Sequence, residues 1–291
     1  MTTSGTDLAP LRRALKKAAP GLARDLPWIN HSDPWAVFVS EVMLQQTSVG
    51  RVEEKWRLFL RLFPTPSALA AAPLAEVLRA WQGLGYPRRA KNLRAAAQAM
   101  VERHDGRVPS TVDELRELPG VGEYTAAAVA SFAFGVRVGV LDTNVGRVLA
   151  RAAANRSLTR PEAREMVARL LPRDGVAAFN QTLLDLGATR CTTTPRCEMC
   201  PVSSVCRWHQ EGGPDPAPSS AAVSRRQAPF AGSDRQLRGR VMASVRDGGR
   251  SEVALTRDLH TEAQRLKNIL AGLERDGLIE KVGRSWRLAG D

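Results

Sequence analysis

The sequence predicts an all-α fold for its larger part. From Leu8 to about Arg207, apolar residues recur at spacings of three and four, which is the period of an amphipathic helix. Aromatic residues make up only 5% of the 291 residues and alanine is frequent, which favours helices over a β-sandwich. No long stretch of this region alternates apolar and polar residues as a half-buried strand would.

Proline and glycine residues interrupt this pattern at intervals and separate one helix from the next. Each helix carries apolar residues at three- and four-residue spacing. The pattern predicts helices at Ala36–Thr47, Val52–Phe63, Leu74–Gln82, Arg88–His104, Val112–Glu117, Tyr124–Phe134, Asn144–Ala154 and Pro161–Leu171.

A change in composition predicts a domain boundary. The stretch that starts at Glu211 is rich in glycine, proline and serine, as linkers are. We therefore expect a helical domain at 1–210, a linker at 211–232 and a separate domain at 233–291.

The C-terminal segment has the pattern of a small winged helix–turn–helix. Two apolar stripes indicate helices, and two short strands around Gly283 follow them. Helices followed by a hairpin are typical of this fold, which serves in DNA binding and in protein interactions. The stripes are Leu237, Val241 and Val245, then Leu266, Ile269, Leu270 and Leu273.

Charge and composition indicate where the protein acts and on what. Lysine and arginine number 42 against 30 acidic residues, so the net charge is +12 and the pI is near 10.5, which suits a polyanionic partner. No signal-peptide pattern is visible, and the most apolar long stretch, Tyr124–Leu141, is interrupted by Arg137. We expect a cytoplasmic protein without a membrane span.

The cysteines form one cluster with the spacing C-x5-C-x2-C-x5-C. Four thiolates this close together in a cytoplasmic protein indicate a metal site rather than disulfides. Zinc ribbons prefer two tight pairs, whereas only one pair is tight here, so the spacing favours a [4Fe–4S] cluster over zinc. The four residues are Cys191, Cys197, Cys200 and Cys206.

A glycine-rich turn and two acidic residues are candidates for chemistry. Gly120 and Gly122 would expose backbone N–H groups at a helix start, which is a seat for phosphate, although such turns are common between helices. Glu41 lies among apolar residues, where a carboxyl group can hold a proton near neutral pH. Asp142 precedes a helix and could simply cap it. Singly, none of these residues decides a function.

Together, these segments resemble the helix-hairpin-helix (HhH-GPD) DNA glycosylases, and most closely the MutY-type adenine DNA glycosylases. The resemblance covers about Leu8 to Trp208 and implies two helical lobes, an iron–sulfur loop and a target base flipped out of the duplex. It rests on Arg24–Trp28, Ser40–Thr47, Trp81–Tyr86, the turn at Leu118–Gly122, Leu141–Val145, Phe179–Gln181 and the cysteine cluster.

The resemblance implies removal of adenine opposite 8-oxoguanine or guanine in double-stranded DNA, by a protein expected to act as a monomer. Glu41 would protonate the leaving adenine and activate water, while Asp142, supported by Asn144, would stabilise the sugar cation. Strand-cutting relatives place a lysine where Tyr124 stands, and no lysine occurs from residue 92 to 266. A monofunctional enzyme is therefore expected.

The same resemblance assigns binding residues and reveals departures from the family. Ile29 and Pro87 stand where the family commonly has an arginine and a tyrosine, and the C-terminal segment replaces a Nudix-like domain that many relatives carry. The adenine pocket would be lined by Arg24, Leu26, Trp28 and Gln181, and the opposing lesion would lie near Gln46, Thr47 and Tyr86.

Two alternatives stay open. A thymine glycosylase acting on T·G mismatches would share Tyr124 and the Asp-Thr-Asn run at 142–144, although the segment Ser40–Thr47 argues against it. A non-catalytic, iron–sulfur DNA-binding regulator would use the winged helix instead and would be indifferent to the loss of Glu41.

Overall fold

The computed structural model describes residues 7–223 and 229–291. Helices dominate among these residues, as the sequence predicted. The strands of the described residues lie in the C-terminal segment. The helices are α1 (Ala9–Leu22), α2 (Pro34–Leu44), α3 (Val49–Leu62), α4 (Pro66–Ala71), α5 (Leu74–Ala80), α6 (Arg88–Arg103), α7 (Val112–Arg116), α8 (Glu123–Phe134), α9 (Thr143–Val148), α10 (Arg160–Leu170), α11 (Val176–Thr189), α12 (Arg207–Glu211), α13 (Asp234–Ser244), α14 (Glu252–Leu259) and α15 (Ala263–Arg275). The strands are β1 (Arg250–Ser251), β2 (Ile279–Val282) and β3 (Ser285–Leu288).

Contacts between residues divide the chain into two compact units. The first unit contains Met1–Pro34, Ser110–Asp113 and Gly122–Arg226. The second contains Trp35–Pro109, Glu114–Val121 and Gln227–Asp291, so the C-terminal segment groups with the helices α2 to α6.

The core of the first unit is made by α11, which packs against both α1 and α9. Leu15, Leu149 and Leu183 are completely buried there, as the amphipathic spacing of their helices requires. Beyond α9 the chain continues as a buried π-helical turn, Leu149–Ala154, where the sequence predicted an uninterrupted helix.

The second unit is built on aromatic and alanine-rich packing. α6 packs against α4 and α5, and α5 contacts α3. Phe59 meets the ring of Trp81 edge-on with the ring centres 5.8 Å apart, a favourable geometry for two aromatic rings. α2 is buried almost all round, so its polar residues lie inside the fold.

The C-terminal segment has the element order of a winged helix. Helix α13, strand β1, helices α14 and α15, and then β2 and β3 follow one another. The three strands form an antiparallel sheet in the order β1-β3-β2, with Arg250 paired to Trp286 and Ile279 to Leu288. The two predicted helices and the hairpin are confirmed, whereas β1, only two residues long, carries no pattern that could have predicted it.

Part of the segment expected to be a linker packs against the first unit. Asp215 forms a salt bridge with Arg151, and the backbone N–H of Ala221 donates to the carbonyl of Leu158 across 2.8 Å. Ser220 is buried and bonds Leu158 as well. Residues 215–222 are therefore held in place, and 224–228 lie outside the described residues.

Within residues 7–223 and 229–291, no helix is long and apolar enough to cross a lipid bilayer.

Candidate active site

Glu41 is placed inside the second unit by the apolar helix α2. Its side chain is 5% exposed, and its neighbours Ser40 and Val42 are buried too. The sequence expectation of a carboxyl group beside a core face therefore describes its surroundings correctly.

Arg89 fixes the C-terminal end of the helix that carries Glu41. Its Nη1 atom donates to the carbonyls of Val42 and Met43 at 2.9 and 2.8 Å, and its Nη2 atom donates to Thr47 Oγ1 at 2.8 Å. These carbonyls belong to the last turn of α2 and have no partner within the helix. Burial lowers the pKa of Arg89 to about 10, which leaves the guanidinium charged at neutral pH.

The residues expected near an opposing lesion differ in accessibility. Thr47 is buried and its hydroxyl donates to the carbonyl of Leu84 across 3.1 Å, so its side chain is part of the internal network. Gln46 is exposed and has a left-handed backbone with φ of 57°. Tyr86 is 36% exposed, and its ring lies 5.5 Å from the Arg89 guanidinium.

The turn between α7 and α8 depends on one of its two glycines. Gly120 has a φ of 77°, and a Cβ there would lie 2.6 Å from Asn92 Cβ, so only glycine fits. Gly122, the N-cap of α8, is extended with open space around it and does not require glycine. Tyr124 follows in the first turn of α8 and packs against the core of the first unit.

Asp142 is the N-cap of α9, as the simpler interpretation of the sequence predicted. One of its oxygens accepts the backbone N–H of Val145 at 2.8 Å, and the other accepts the side-chain amide of Asn144 at 2.6 Å. Burial raises the pKa of Asp142, and these hydrogen bonds offset part of that increase. The carboxylate is thus held in one orientation.

Asn144 links Asp142 to the cysteine loop. Its carbonyl oxygen accepts a hydrogen bond of 2.6 Å from Arg147, whose Nε atom donates to the carbonyl of Cys191 across 2.8 Å. Helices α9 and α11 approach closely here because Gly187 lacks a side chain, since a Cβ would lie 2.6 Å from the carbonyl of Asn144. A continuous chain of hydrogen bonds therefore joins Asp142 to Cys191.

Two residues expected in an adenine pocket share a partner that the sequence did not reveal. Arg24 and Gln181 both donate to Asp185 Oδ1, at 2.5 and 2.9 Å. Asp185 is 1% exposed on α11 and lies one helical turn after Gln181, a spacing that could have indicated the pair. Trp28 is buried and Leu26 is half-buried in the same unit.

The four cysteines line a single pocket. Cys206 is buried, and desolvation raises the pKa of its thiol to about 11. Arg151 donates to Cys191 Sγ at 3.4 Å and to the carbonyl of Thr192 at 2.7 Å. Among the described residues, no three His, Cys, Asp or Glu side chains surround one metal-ion position.

The structure thus collects the predicted residues in two groups. The first unit connects Asp142 and Asn144 to Cys191 through Arg147, and it brings Arg24 and Gln181 to a shared partner, while the second unit holds the residues that surround the end of α2. Sequence reasoning missed the polar residues that position them: the buried Arg89, Arg147, Arg151 and Asp185, and the half-buried Asp215.

Comparison with known proteins identifies the family. The HhH-GPD superfamily of base excision DNA repair proteins matches residues 39–173. The adenine DNA glycosylase of Mycolicibacterium smegmatis is 46% identical over 278 residues, which is 92% of either chain. The thymine-DNA glycosylase of Aeropyrum pernix is 37% identical over 195 residues, 64% of this chain and 87% of that protein. A solved thermostable thymine-DNA glycosylase superposes with a TM-score of 0.65 at 27% identity and covers 70% of this chain and 97% of its own. The predicted family is confirmed: the chain belongs to the HhH-GPD superfamily of base excision DNA repair proteins, in the group of the adenine DNA glycosylases.

Proposed function

We propose that this protein is a monofunctional glycosylase that removes adenine paired with 8-oxoguanine or guanine from duplex DNA. The observation that carries the proposal is the presence of two carboxyl groups withdrawn from water, Glu41 and Asp142, in a chain so similar to an adenine DNA glycosylase. The net charge of +12 suits a DNA substrate, and DNA as substrate favours a cytoplasmic location.

Glu41 supplies the proton in this proposal. Adenine leaves poorly as an anion, so a ring nitrogen must gain a proton as the glycosidic bond breaks. A buried carboxyl group keeps its proton more readily than an exposed one, and helix α2 holds Glu41 in such surroundings. Once deprotonated, the same carboxylate can accept a proton from the attacking water. General acid–base help of this kind is worth roughly 10²- to 10⁴-fold in rate.

Asp142 stabilises the sugar. As the base leaves, C1′ gains positive charge, and a fixed carboxylate nearby lowers the energy of that cation. Hydrogen bonds from Val145 and Asn144 hold the carboxylate in place before the reaction, so no reorientation is needed during it. Only the ionised form can do this, and the raised pKa of Asp142 therefore predicts loss of activity at acidic pH.

The remaining assignments follow the family pattern. Arg24, Leu26, Trp28 and Gln181 recognise the adenine, and Asp185 orients two of them. Gln46, Thr47 and Tyr86 serve the opposing base, with Gln46 and Tyr86 accessible to it. Gly120 and Gly122 place backbone N–H groups against a phosphate. We also propose that the protein acts as a monomer.

Strand cleavage through an imine is not part of the proposed reaction. Tyr124 occupies the position of the lysine in bifunctional relatives, and no lysine occurs from residue 92 to 266. Treatment with borohydride during the reaction should therefore give no lysine-dependent cross-link to DNA.

We further propose that Cys191, Cys197, Cys200 and Cys206 hold a [4Fe–4S] cluster. All four line one cavity, and thiolates are the ligands that iron–sulfur clusters use, so the donor set fits the group. Arg147 and Arg151 donate hydrogen bonds to Cys191, which suits a negatively charged cluster. When bound, the cluster would tie the cysteine loop to the end of α11, and a redox role is not required.

The experiment that tests the function compares labelled duplexes containing A·8-oxoG, A·G, T·G and A·T under single-turnover conditions. We expect the wild type to release the base from the first two duplexes. The Glu41→Gln and Asp142→Asn variants should release almost none but should still bind the duplex.

Thymine release from T·G is the second candidate function, because the thymine-DNA glycosylase of Aeropyrum pernix is similar over 64% of this chain. Release from T·G alone would replace the adenine proposal. Sequence-specific binding without any base release would favour a regulator.

A further inference from the structure

The C-terminal segment is docked firmly on helices α5 and α6 of its own unit. Lys91 donates to the carbonyl of Asp276 across 2.6 Å, and Arg246 donates to the side chain of Gln82 across 2.9 Å. Arg79 donates to the carbonyl of Arg246 at 3.0 Å and also pairs with the Asp291 side chain. These contacts surround the loop that connects α5 to α6.

That loop presents Tyr86 to solvent. Tyr86 has a left-handed backbone with φ of 48°, between Gly85 with φ of 73° and Pro87, which is the N-cap of α6. A non-glycine residue in this conformation is held there by its surroundings, since the conformation itself is unfavourable. The ring is 36% exposed and lies 5.5 Å from the buried Arg89 guanidinium.

The C-terminal segment places an arginine and a second aromatic ring beside Tyr86. Arg235, in the first turn of α13, donates from Nη1 to Tyr86 Oη across 3.3 Å. The Arg235 guanidinium lies 6.0 Å from the ring centre of Phe230, which is 59% exposed. We call Tyr86, Phe230 and Arg235 the aromatic–arginine cluster.

The chemistry of this cluster matches a nucleic acid strand. Aromatic rings and guanidinium planes stack on nucleobases, and a guanidinium also binds phosphate. Tyr86 is 36% and Phe230 59% exposed, so both rings are accessible to a base that stacks on them. The chain carries a net charge of +12, which favours a polyanion over a protein partner of similar charge.

We propose that the aromatic–arginine cluster contacts the DNA strand opposite the target adenine, and that Arg235 and Phe230 are the contribution of the C-terminal segment to substrate binding. The placement of that strand rests on the proposed function, in which Tyr86 serves the opposing base. The C-terminal segment then acts as part of the substrate surface of its unit.

The test measures binding and excision separately, with the full-length protein. Binding uses a duplex that carries a tetrahydrofuran residue opposite 8-oxoguanine, which cannot be cleaved, and the same duplex without modification. The variants are Arg235→Ala and Phe230→Ala, and the matched control is Arg240→Ala, an exposed arginine on the same helix α13. Affinities are measured between about 50 and 200 mM salt, a range over which binding that depends on phosphate contacts weakens steeply.

We expect Arg235→Ala to bind the modified duplex about 5- to 10-fold more weakly, with a salt slope smaller by about one, as for one lost phosphate contact. Phe230→Ala should weaken binding by a similar factor without changing the slope, because stacking releases no counterion. Arg240→Ala should match the wild type in both respects.

Three outcomes overturn this inference or separate it from the proposed function. If the wild type releases adenine but Arg235→Ala and Phe230→Ala bind like Arg240→Ala, the inference is wrong and the function stands. If Arg235→Ala weakens binding only as much as Tyr86→Phe does and leaves the slope unchanged, Arg235 merely supports Tyr86, which also overturns it. If no adenine is released but the binding losses occur, the function fails while DNA contact by the cluster is supported.

Discussion

Asn144 donates its side-chain amide to Asp142 across 2.6 Å while its carbonyl oxygen accepts a hydrogen bond of the same length from Arg147. A side-chain amide carries a donor and an acceptor on the same planar group, so one residue can make both bonds. Asn144 is therefore held by the buried Arg147 and in turn holds the carboxylate of Asp142 in its orientation.

We expect Asn144→Ala to slow base excision about 10- to 100-fold, because Asp142 loses the side-chain donor that helps to orient it. Arg147 loses an acceptor as well, which should lower the free energy of unfolding by about 1–3 kcal/mol. Single-turnover rates and urea unfolding measure the two effects. Asn268→Ala, at an exposed position of α15, is the control and should change neither. An Asn144→Ala enzyme with the wild-type rate would contradict the positioning role.

Asp142→Asn should have a pH-dependent effect on stability. Burial raises the pKa of Asp142 above its ordinary value of 3.8, so the folded protein favours the protonated form. The stability that this preference contributes is present below pH 3.8 and is lost as the pH rises through the raised pKa of the folded state. An asparagine does not titrate, so the melting temperature of the variant relative to wild type should increase with pH over that window and then level off.

Calorimetry of both proteins in steps from pH 3.5 to about pH 8 measures this difference. A difference that falls with rising pH would mean that the hydrogen bonds to Asp142 outweigh its burial. The base-excision rate of the wild type should fall in the same window as the pH is lowered, because the neutral carboxyl group cannot stabilise the sugar cation.

The helices could be predicted because their apolar spacing is local information. The stripes on α13 and α15 and the hairpin around Gly283 were found in this way. The strand Arg250–Ser251 could not be found, since two residues show no period and the strand exists only because β3 lies beside it.

The candidate site was predictable only in part, and for a physical reason. Asp142 was marked by its place before a helix, but nothing local distinguishes a buried arginine such as Arg89 from the many exposed ones. Four of its five acceptors are backbone carbonyls, which every residue has, so the sequence contains almost no sign of the pairing. Likewise, the proline-rich composition at 215–222 predicts solvated chain, whereas Asp215 binds Arg151 with both oxygens.

Arg89→Met tests how far this buried arginine stabilises the second unit. Arg89 donates to five oxygen atoms around the end of α2 and the following loops, and methionine would fill its volume but satisfy none of them. We expect the free energy of unfolding to fall by about 3–5 kcal/mol, as when one partner of a buried polar network is removed. The neighbouring Arg88→Met is the control, since the Arg88 side chain is 68% exposed. This substitution should change the free energy of unfolding by less than about 0.5 kcal/mol. Urea unfolding measures both variants, and a loss below about 1 kcal/mol for Arg89→Met would show that water replaces its hydrogen bonds.

The cysteine loop should lose its metal when one thiol is removed. We expect the purified protein to be yellow-brown, to absorb near ~400 nm and to contain about four iron atoms per chain, as a [4Fe–4S] cluster requires. Cys200→Ser should lower the iron content and the absorbance together, because the cavity then offers only three thiolates. Met199→Ala is the matched control, since Met199 is 63% exposed in the same loop and offers no thiolate. Iron analysis, zinc analysis and the absorption spectrum distinguish the two kinds of metal site. A colourless protein with one zinc ion per chain would mean that the cysteines bind zinc and not a cluster. Full iron content in Cys200→Ser would exclude Cys200 as a ligand.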